Sequence, residues 1–497
     1  MHPIDLGVII VYIVGCTAMG AWLGSGSKGL KGYFLGESNI PGWAVMISII
    51  ATETSAVTFL SVPGIAYRGN MTFLQLAIGY ILARIFVAIF LLPAYFKGEI
   101  FTAYQVLQQR FGGATQKAAS ILFLVTRTIA SGLRLFLAAK VLRQMYLATQ
   151  GYPSPSGWEM PGAIITIGLF TILYTYLGGI KAVVWTDVLQ FFIYILGGIV
   201  ALVIMVSEVP GGWGTIVKEG MAANKFLIFD FTPNLTIAYG FWAGLIGAMV
   251  LDTGSHGVDQ MMVQRYLSAR SQREAAWALI ASGGVILVQF ALFLLIGVSL
   301  FVLYQHSPPP VLPTKDEEFA SFIIRYLPTG VLGVVIAAIL SVTMSTVSGA
   351  LSASASSTVN DLYRPLFPNT DERNLLRLSK GLTAFWGIVQ IGVAIAAIAL
   401  EKAVIDNALA VAGFVTGILL GLFLLGLVSR NAGQAAAFIG MIAGLAAVSF
   451  AAFGTKLAYP WYALVGSATV VAVGMAVSLV LPAAPRKIID TNLQHEI

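Results

Sequence analysis

The sequence predicts an all-α membrane protein of about thirteen transmembrane helices, and three observations support this fold class. Of the 497 residues, 58% are hydrophobic and only 10% are charged, and the mean hydropathy is +0.87. A soluble domain carries about 25% charged residues, so a soluble, disordered or nucleic-acid-binding chain is excluded. Apolar stretches of about 20 residues, the length that spans a bilayer, recur along the chain. Polar residues within these stretches are clustered, which is typical of a functional site in a membrane protein.

The predicted spans follow one another at short intervals. They lie at residues 3–24, 41–66, 71–96, 116–148, 159–178, 182–207, 234–260, 273–305, 329–357, 376–399, 403–428, 434–454 and 459–481. The first span lacks the basic start and the cleavage site of a secretion signal, so we expect it to be retained as a helix. The linkers are too short for another domain, and residues 1–497 are predicted to form one membrane domain.

The basic residues of the loops are divided unevenly between the two sides of the membrane. The richer side includes Arg265, Arg270 and Arg377, and the poorer side includes Lys218 and Lys315. Because the side rich in Lys and Arg faces the cytoplasm, we expect the N-terminus outside the cell and the C-terminus in the cytoplasm. The chain is therefore predicted to be a multi-pass protein of the cell (inner) membrane.

Three spans carry polar clusters at mid-membrane depth. The second span contains Glu53 among several hydroxyl residues, and we expect the Pro63-Gly64 pair that follows to end its helix. The seventh span is polar and interrupted by glycine between residues 251 and 260, and the ninth carries a run of serines and threonines between residues 340 and 352. Such groups are costly in lipid and predict function, although a single hydroxyl can equally bond a carbonyl of its own helix.

The first two clusters occupy corresponding positions in two blocks of five spans, residues 41–207 and 234–428. A leading helix at 3–24 precedes the blocks, and two C-terminal helices at 434–481 follow them. Interrupted helices at matching places predict two inverted repeats with broken first helices and a transport site at the midplane. Carbonyls freed at the breaks, together with hydroxyls, suit a hard cation. No phosphate-binding loop, nucleophile elbow or His/Cys cluster occurs in the sequence, so an enzyme is not expected.

Two runs of regularly spaced glycines are predicted to be packing faces. Gly413, Gly417 and Gly421 recur at every fourth position, and so do Gly440 and Gly444. This spacing lets membrane helices approach one another closely.

Several motifs resemble those of one transporter family and occur in that family's order. They are Ser55-Ala56 to Phe59 with Pro63-Gly64, Phe101-Thr102-Ala103-Tyr104 to Arg110-Phe111-Gly112, Gly178-Gly179 with Ala182-Val183-Val184-Trp185-Thr186-Asp187-Val188-Leu189-Gln190, Gln264-Arg265, and Ser345-Thr346 to Asp361-Leu362-Tyr363. By these motifs the chain is identified as a member of the sodium/solute symporter family, which includes sodium-coupled transporters of sugars, proline, sialic acid, iodide and vitamins. The resemblance implies a leucine-transporter-like core of ten helices and alternating access driven by sodium.

The resemblance also implies where the coupling sodium ion binds. The family's main site falls on the carbonyls of Ala51 and Thr54 in the first broken helix, and on Val342, Ser345 and Thr346 in the ninth span.

A second sodium site is a further implication of the resemblance. Asp187, Ser345 and Ser348 match the arrangement that some members use, whereas Gly349 replaces a serine. The alternative for Asp187 is an ion pair with a basic residue such as Lys181.

The predicted substrate site differs from that of the family's sugar carriers. The positions at which those carriers bind sugar correspond to Thr58, Ala77, Ile286, Leu409 and the pair Ser255-His256. These residues do not match sugar ligands, so we do not expect a sugar.

Charged residues in the core indicate an anionic substrate instead. Arg127 and Arg134 lie two turns apart in the fourth predicted span, and a planar guanidinium binds a carboxylate well. The predicted substrate-binding residues are Thr58, Arg127, Arg134, Asp252, Ser255 and His256. The alternative is a structural ion pair of Arg134 with Asp252 or Glu53.

The sequence thus predicts a secondary active transporter that brings a small polar, carboxylate-bearing organic solute into the cell together with sodium. We expect it to work as a monomer in the lipid bilayer, with sodium as its cofactor and with no nucleic-acid partner. The alternatives are sodium symport of a sugar or other neutral solute, a passive channel and a transporter-derived sensor. A channel would show a repeated pore motif and a sensor an appended signalling domain, and neither is expected from this sequence.

Overall fold

The computed structural model describes residues 2–24, 29–98, 100–149, 157–309, 318–400 and 402–481. Within these ranges the protein is all-helical, and the one strand-like pairing is an isolated bridge between Ile40 and Ala269. The helices are, in chain order, α1 (Pro3–Gly24), α2 (Gly29–Leu35), α3 (Gly42–Glu53), α4 (Ala56–Arg68), α5 (Leu76–Phe86), α6 (Leu92–Tyr95), α7 (Tyr104–Phe111), α8 (Gly113–Thr149), α9 (Glu159–Glu208), α10 (Gly212–Ala222), α11 (Met249–Gly257), α12 (Gln260–Ser268), α13 (Gln272–His306), α14 (Glu318–Tyr326), α15 (Val331–Ser357), α16 (Glu372–Ala396), α17 (Lys402–Val428), α18 (Gln434–Gly454) and α19 (Tyr462–Val480).

In the part of the chain that the structure describes, nine helices are long and apolar enough to cross a membrane, and the bent pair α3–α4 brings the number to ten. The 50 residues of α9 extend about 75 Å at 1.5 Å per residue, more than twice the ~30 Å thickness of a hydrocarbon core. This helix is kinked at Gly179, whose backbone is non-helical (φ 56°, ψ −151°). The kink lies between the predicted spans 159–178 and 182–207. The total of thirteen spans and the inverted repeat stay predictions.

The first predicted break is present, but proline does not cause it. α3 ends at Glu53, and the helix that follows is bent by 63° away from it. Ser55 caps the N-terminus of α4, because its hydroxyl accepts a hydrogen bond from the Thr58 amide. Pro63 lies inside α4, so the expectation that it ends the helix is wrong. Membrane helices tolerate proline when neighbouring elements compensate, and Gly297 lets α13 pack directly against this turn.

The second break separates α11 from α12. α11 runs through Gly254 without interruption and ends at Gly257. Gly254 instead provides close packing, because a side chain there would collide with Thr416 of α17. Asp259 caps the N-terminus of α12, and its carboxylate accepts a hydrogen bond from the Met261 amide at 2.8 Å. The break thus lies between Gly257 and Gln260, with a capping carboxylate at the start of α12, and Gly254 does not interrupt the helix.

α15 is the most deeply buried of the described spans, with 89% of its apolar window inside the protein. It packs against α1, α8, α9 and α16. Some of its hydroxyls donate to carbonyls of their own helix: Ser341 donates to the Ala337 carbonyl at 2.7 Å and Thr343 to the Ile339 carbonyl at 2.8 Å. Hydroxyls on α15 that point elsewhere therefore stand out as candidate ligands.

The glycine-rich helices near the C-terminus pack closely, as predicted. Gly417 of α17 lies against Ala463 of α19, and Gly440 of α18 lies against Val470 of α19. Gly413 is not part of this face, because a Cβ atom there would meet no atom within 4 Å.

Candidate functional site

The first helix break faces α15, and backbone carbonyls meet a hydroxyl there. The Thr346 hydroxyl lies 3.3 Å from the Thr54 carbonyl oxygen, 3.4 Å from that of Thr52 and 3.0 Å from that of Val342 in its own helix. Thr54 has an extended backbone (φ −74°, ψ 124°), so its carbonyl is not committed to a helix. Ala51 lies in the last turn of α3 and is fully buried.

This group of oxygen atoms suits a hard monovalent cation. Carbonyl and hydroxyl oxygens are neutral donors of electron density, the kind of ligand that hard cations prefer at broken helices. The Ser345 hydroxyl donates a hydrogen bond to Asp187 Oδ1 at 2.6 Å, which leaves the lone pairs of its oxygen available. The structure thus brings Thr54, Val342 and Thr346 together, with Ser345 next to them on α15.

Asp187 lies in a buried polar network beside these residues. Its carboxylate accepts a hydrogen bond from Ser48 at 2.5 Å and forms an ion pair with Arg265 at 3.0 Å. Both charged side chains are fully buried. The alternative of an ion pair at Asp187 is therefore present, but with Arg265 as the partner; Lys181, the residue considered from the sequence, lies instead 3.9 Å from Glu37.

Arg265 is buried in α12, although the charge pattern predicted it in a cytoplasmic loop, and that prediction is wrong. Its Nε donates to Ser48 at 2.8 Å, so the guanidinium is held on two sides. A Cβ atom on Gly349 would lie 2.8 Å from Arg265 Nη2, so the guanidinium fills the space that a side chain would otherwise occupy. At the predicted second sodium site, the Asp187 carboxylate is therefore already paired with a cation, the Arg265 guanidinium. The Ser348 hydroxyl of that predicted site donates to the Ser345 carbonyl of its own helix at 3.0 Å.

A second charged cluster adjoins the break and includes a residue that sequence reasoning missed. Arg84 of α5 is fully buried, with Nη2 2.5 Å from Glu53 Oε2 and Nε 3.3 Å from Asp252 Oδ2. His256 lies against the same guanidinium, with Nε2 3.2 Å from Arg84 Nη2 and Nδ1 3.0 Å from the Tyr266 hydroxyl. We refer to Arg84, Glu53, Asp252 and His256 as the Arg84 cluster.

The Arg84 cluster changes the interpretation of two predicted substrate residues, Asp252 and His256. Both acidic groups pair with Arg84, so the alternative in which Arg134 pairs with Asp252 or Glu53 is wrong. The ligand atoms of Glu53, Asp252 and His256 lie within 4.8 Å of one another, which is close enough to share a metal ion. A guanidinium bound to both carboxylates disfavours a divalent cation by charge repulsion. The sequence did hold one signal for this cluster, since an arginine inside an apolar span requires an acidic partner.

The two arginines of α8 have different environments. Arg127 forms an ion pair with Asp259, the N-cap of α12. Arg134 is half-buried about 10 Å further along the helix, and it has no hydrogen-bond or ion-pair partner among the described residues. Of these two arginines, Arg134 is therefore the one whose guanidinium has no partner among the described residues and is available for an anion.

A cavity of about 440 Å³ opens at the end of α4 that is remote from the break. It is lined by Ser61, Ile65, Arg68, Gly69, Asn70, Thr72 and Tyr239. Its volume is in the range of small-molecule sites. Thr58, Ser61 and Ile65 are spaced by three and four residues and share one face of α4, so this face leads from the break to the cavity.

Ser255, the remaining predicted substrate residue, lies half-buried on α11.

The chain is similar to several known sodium-coupled transporters. The profile of the sodium:solute symporter family matches residues 33–444. The human sodium/iodide cotransporter is 29% identical over 92% of this chain and 70% of its own length. The human sodium-coupled monocarboxylate transporter 1 is 30% identical over 88% of this chain and 71% of its own. A solved structure of a Na⁺-coupled sialic acid symporter, in a substrate-bound outward-open state, matches with a TM-score of 0.88 at 28% identity and covers 98% of this chain and 99% of that one.

The ion pair between Asp187 and Arg265 leads to a stability prediction. Asp187→Asn should lower the free energy of unfolding by about 3–5 kcal/mol, because a buried charge loses its partner, and Arg265→Gln should do the same. The loss of unfolding free energy in the double variant should be smaller than the sum of the losses in the two single variants, since neither charge then remains unpaired. Denaturant unfolding of the four proteins in mixed micelles gives the coupling energy.

Lys181→Gln is the matched control for this cycle. Its partner Glu37 is 3.9 Å away, and the two side chains are 28% and 48% exposed, so their pair contributes at most about 1 kcal/mol. Strictly additive losses in the double variant would contradict the pairing of Asp187 with Arg265.

Proposed function

The chain belongs to the sodium:solute symporter family, and on that premise we propose that it imports a small carboxylate-bearing organic solute with sodium by alternating access. Family membership makes it a membrane transporter rather than an enzyme, and it implies sodium as the coupling ion. The observation that carries the proposal is the approach of the Thr346 hydroxyl to the Thr52 and Thr54 carbonyls at a helix break inside the membrane.

Sodium is proposed to bind between the end of α3 and the middle of α15. The proposed ligands are the carbonyls of Ala51, Thr54 and Val342 and the hydroxyls of Ser345 and Thr346. An ion there joins a broken helix to a continuous one, so its binding favours conformations in which the two are in contact. That preference is the physical basis of coupling between sodium and alternating access.

A second sodium ion at Asp187 and Ser348 would compete with Arg265 for the same carboxylate. Because the guanidinium already neutralises Asp187, we propose one coupling sodium ion whenever this ion pair is formed.

The proposed solute is an anion because the core contains a cation without a partner among the described residues. Arg134 is half-buried, and its planar fork suits a carboxylate. The relatives are named for iodide, monocarboxylates and sialic acid, all of which are anionic solutes. Thr58 and Ser255 are proposed to add polar contacts to the solute.

The remaining predicted substrate residues are proposed to support the site without binding solute. Arg127 is engaged with Asp259, and both Asp252 and His256 are engaged in the Arg84 cluster. A monomer is proposed to be sufficient for transport, in a cell membrane with the N-terminus outside and the C-terminus in the cytoplasm.

Thr346→Ala should raise the apparent sodium constant of solute uptake at least about tenfold. The change removes one oxygen from the ion, and a polar contact to a charged group contributes about 1.5–3 kcal/mol, where each 1.4 kcal/mol is tenfold. The apparent sodium constant is measured from the dependence of solute uptake on sodium concentration in proteoliposomes. Thr343→Ala is the matched control on the same helix, because that hydroxyl bonds only the Ile339 carbonyl. Equal sodium constants for the two variants would argue against the site at Thr346.

Arg134→Gln should raise the apparent constant for uptake of a carboxylate solute at least about tenfold. The reason is that the variant loses a charge-assisted contact that contributes about 1.5–3 kcal/mol. Sodium binding without solute should be little affected. A thermal-shift screen of carboxylates, amino acids and sugars, with and without sodium, identifies the solute for the uptake assay. Lys140→Gln, an exposed cation on the same helix, is the control. Normal carboxylate uptake by Arg134→Gln, or equal protection by neutral sugars, would favour a neutral solute.

Cysteine labelling tests the proposed orientation. Lys218, Arg270 and Arg377 are exposed, whereas the native Cys16 is buried and contributes little background. An impermeant reagent added to intact cells should label cysteine at position 218 and not at 270 or 377. Labelling at 270 in sealed cells would reverse the proposed topology.

A further inference from the structure

The Arg84 cluster holds more negative than positive charge when the imidazole is neutral. One guanidinium faces two carboxylates, Glu53 at 2.5 Å and Asp252 at 3.3 Å, so one negative charge is left without a counterion. Arg84, Asp252 and His256 are nearly inaccessible to solvent, and the Glu53 side chain is 18% exposed. A buried net charge is costly in a membrane protein, so the cluster favours binding of one further positive charge.

The imidazole of His256 is placed to accept that charge as a proton. Nε2 lies 3.2 Å from Arg84 Nη2, a donor, so in the neutral ring this nitrogen accepts a hydrogen bond and carries no proton. The same nitrogen lies 3.4 Å from Asp252 Oδ1 and 3.5 Å from Glu53 Oε2. A proton on Nε2 would therefore have both carboxylates within 3.5 Å, and it would replace the hydrogen bond that Arg84 donates to this nitrogen.

The other titratable groups around His256 are phenols. Among the described residues, Tyr266 of α12 contacts Nδ1, and Tyr80 of α5 lies close to the two carboxylates. Tyr95 of α6 donates to the carbonyl of Gly257. Phenols are neutral at physiological pH, so none of them balances the charge. Ser282 of α13 is uncharged: its hydroxyl accepts a hydrogen bond from Arg84 at 2.6 Å and donates one to the Leu279 carbonyl.

The cluster is joined covalently to the proposed sodium site. Glu53 is the last residue of α3, and Thr54, the next residue, presents its carbonyl to Thr346. A sodium ion at these carbonyls would therefore lie near the uncompensated carboxylate charge. A sodium ion there and a proton on His256 would both be attracted by the Glu53 carboxylate, and two cations in a weakly polar interior repel each other.

We propose that the Arg84 cluster is a proton-binding site, at which a proton on His256 and a sodium ion at the neighbouring carbonyls neutralise the same negative charge in turn. Sodium binding moves the proton from Nε2 to water, and no covalent bond between heavy atoms forms or breaks. This inference rests on the proposed function, because it requires sodium at the break.

Competition between the two cations has a quantitative consequence. Where the protonated cluster predominates, the apparent sodium constant should rise up to tenfold for each unit of decrease in pH, and in alkaline solution it should reach a plateau. Sodium binding and proton release are reciprocal, so saturating sodium should release up to one proton per protein molecule within the same pH range.

The test uses the full chain purified in detergent, in weak buffer with a pH indicator. Sodium chloride is added from about pH 5 to pH 9, a range that spans histidine titration in proteins, and choline chloride serves as the reference salt. Sodium binding is measured in parallel with radioactive sodium. The wild type should release a proton on binding sodium, and its sodium constant should depend on pH.

Two variants should abolish both effects by different routes. His256→Gln removes the proton acceptor. Asp252→Asn keeps the imidazole but removes one negative charge, so the cluster is already neutral when His256 is unprotonated. The matched control is His306→Gln, which changes an exposed histidine that contacts Glu219 at 3.1 Å, and it should behave like the wild type. If His256→Gln does not fold, Asp252→Asn alone decides the matter.

The outcomes separate this inference from the proposed function. Sodium binding without proton release at any pH, or a pH dependence that persists in a folded Asp252→Asn or His256→Gln, would overturn the proton site and leave sodium coupling intact. Absence of any sodium binding would overturn the proposed function, and the proton site with it.

Discussion

A helix that stops inside a membrane leaves backbone oxygens that lipid cannot satisfy, and the polar core of this protein is arranged around one such stop. α3 ends at Glu53, and the Thr54 carbonyl turns toward α15. The Thr346 hydroxyl lies within 3.4 Å of two carbonyls of that segment. The break is thus satisfied inside the protein, and the same oxygens form the proposed cation site.

Buried ion pairs connect the break to helices on several sides. Asp187 and Arg265 link α9 to α12 and hold Ser48 of α3 between them. Arg84 links α5 to the end of α3 and to α11. Each pair joins different helices, so in the proposed alternating access any movement of these helices relative to one another would be opposed by the charges that stabilise this conformation. A cation or proton that alters their balance therefore changes the relative stability of conformations.

Much of this arrangement could be predicted from the sequence, because local features carry it. The polar clusters marked the segments that contain both helix breaks, although not the residues at which the helices end, and the glycine spacing indicated the contacts of Gly417 and Gly440. The partners of charged residues could not be predicted, since they depend on tertiary packing. Arg265 lies 78 residues from Asp187 in the chain, and a count of loop charges cannot distinguish a buried arginine at the end of a span from an exposed one. Pro63 was misread for a similar reason, because tolerance of a proline depends on the neighbouring helix.

Arg84 also has a consequence for how the chain enters the membrane during synthesis. Glu53 lies 31 residues before Arg84, whereas Asp252 lies 168 residues after it. At about 5–20 residues per second, the ribosome needs roughly 8–34 seconds to make that second stretch. In the nascent protein, Glu53 is therefore the one carboxylate of the cluster already present when the arginine reaches the translocon. Loss of Glu53 would therefore make insertion of the α5 span less favourable. It would lower the yield of protein in the membrane, independently of any effect on transport.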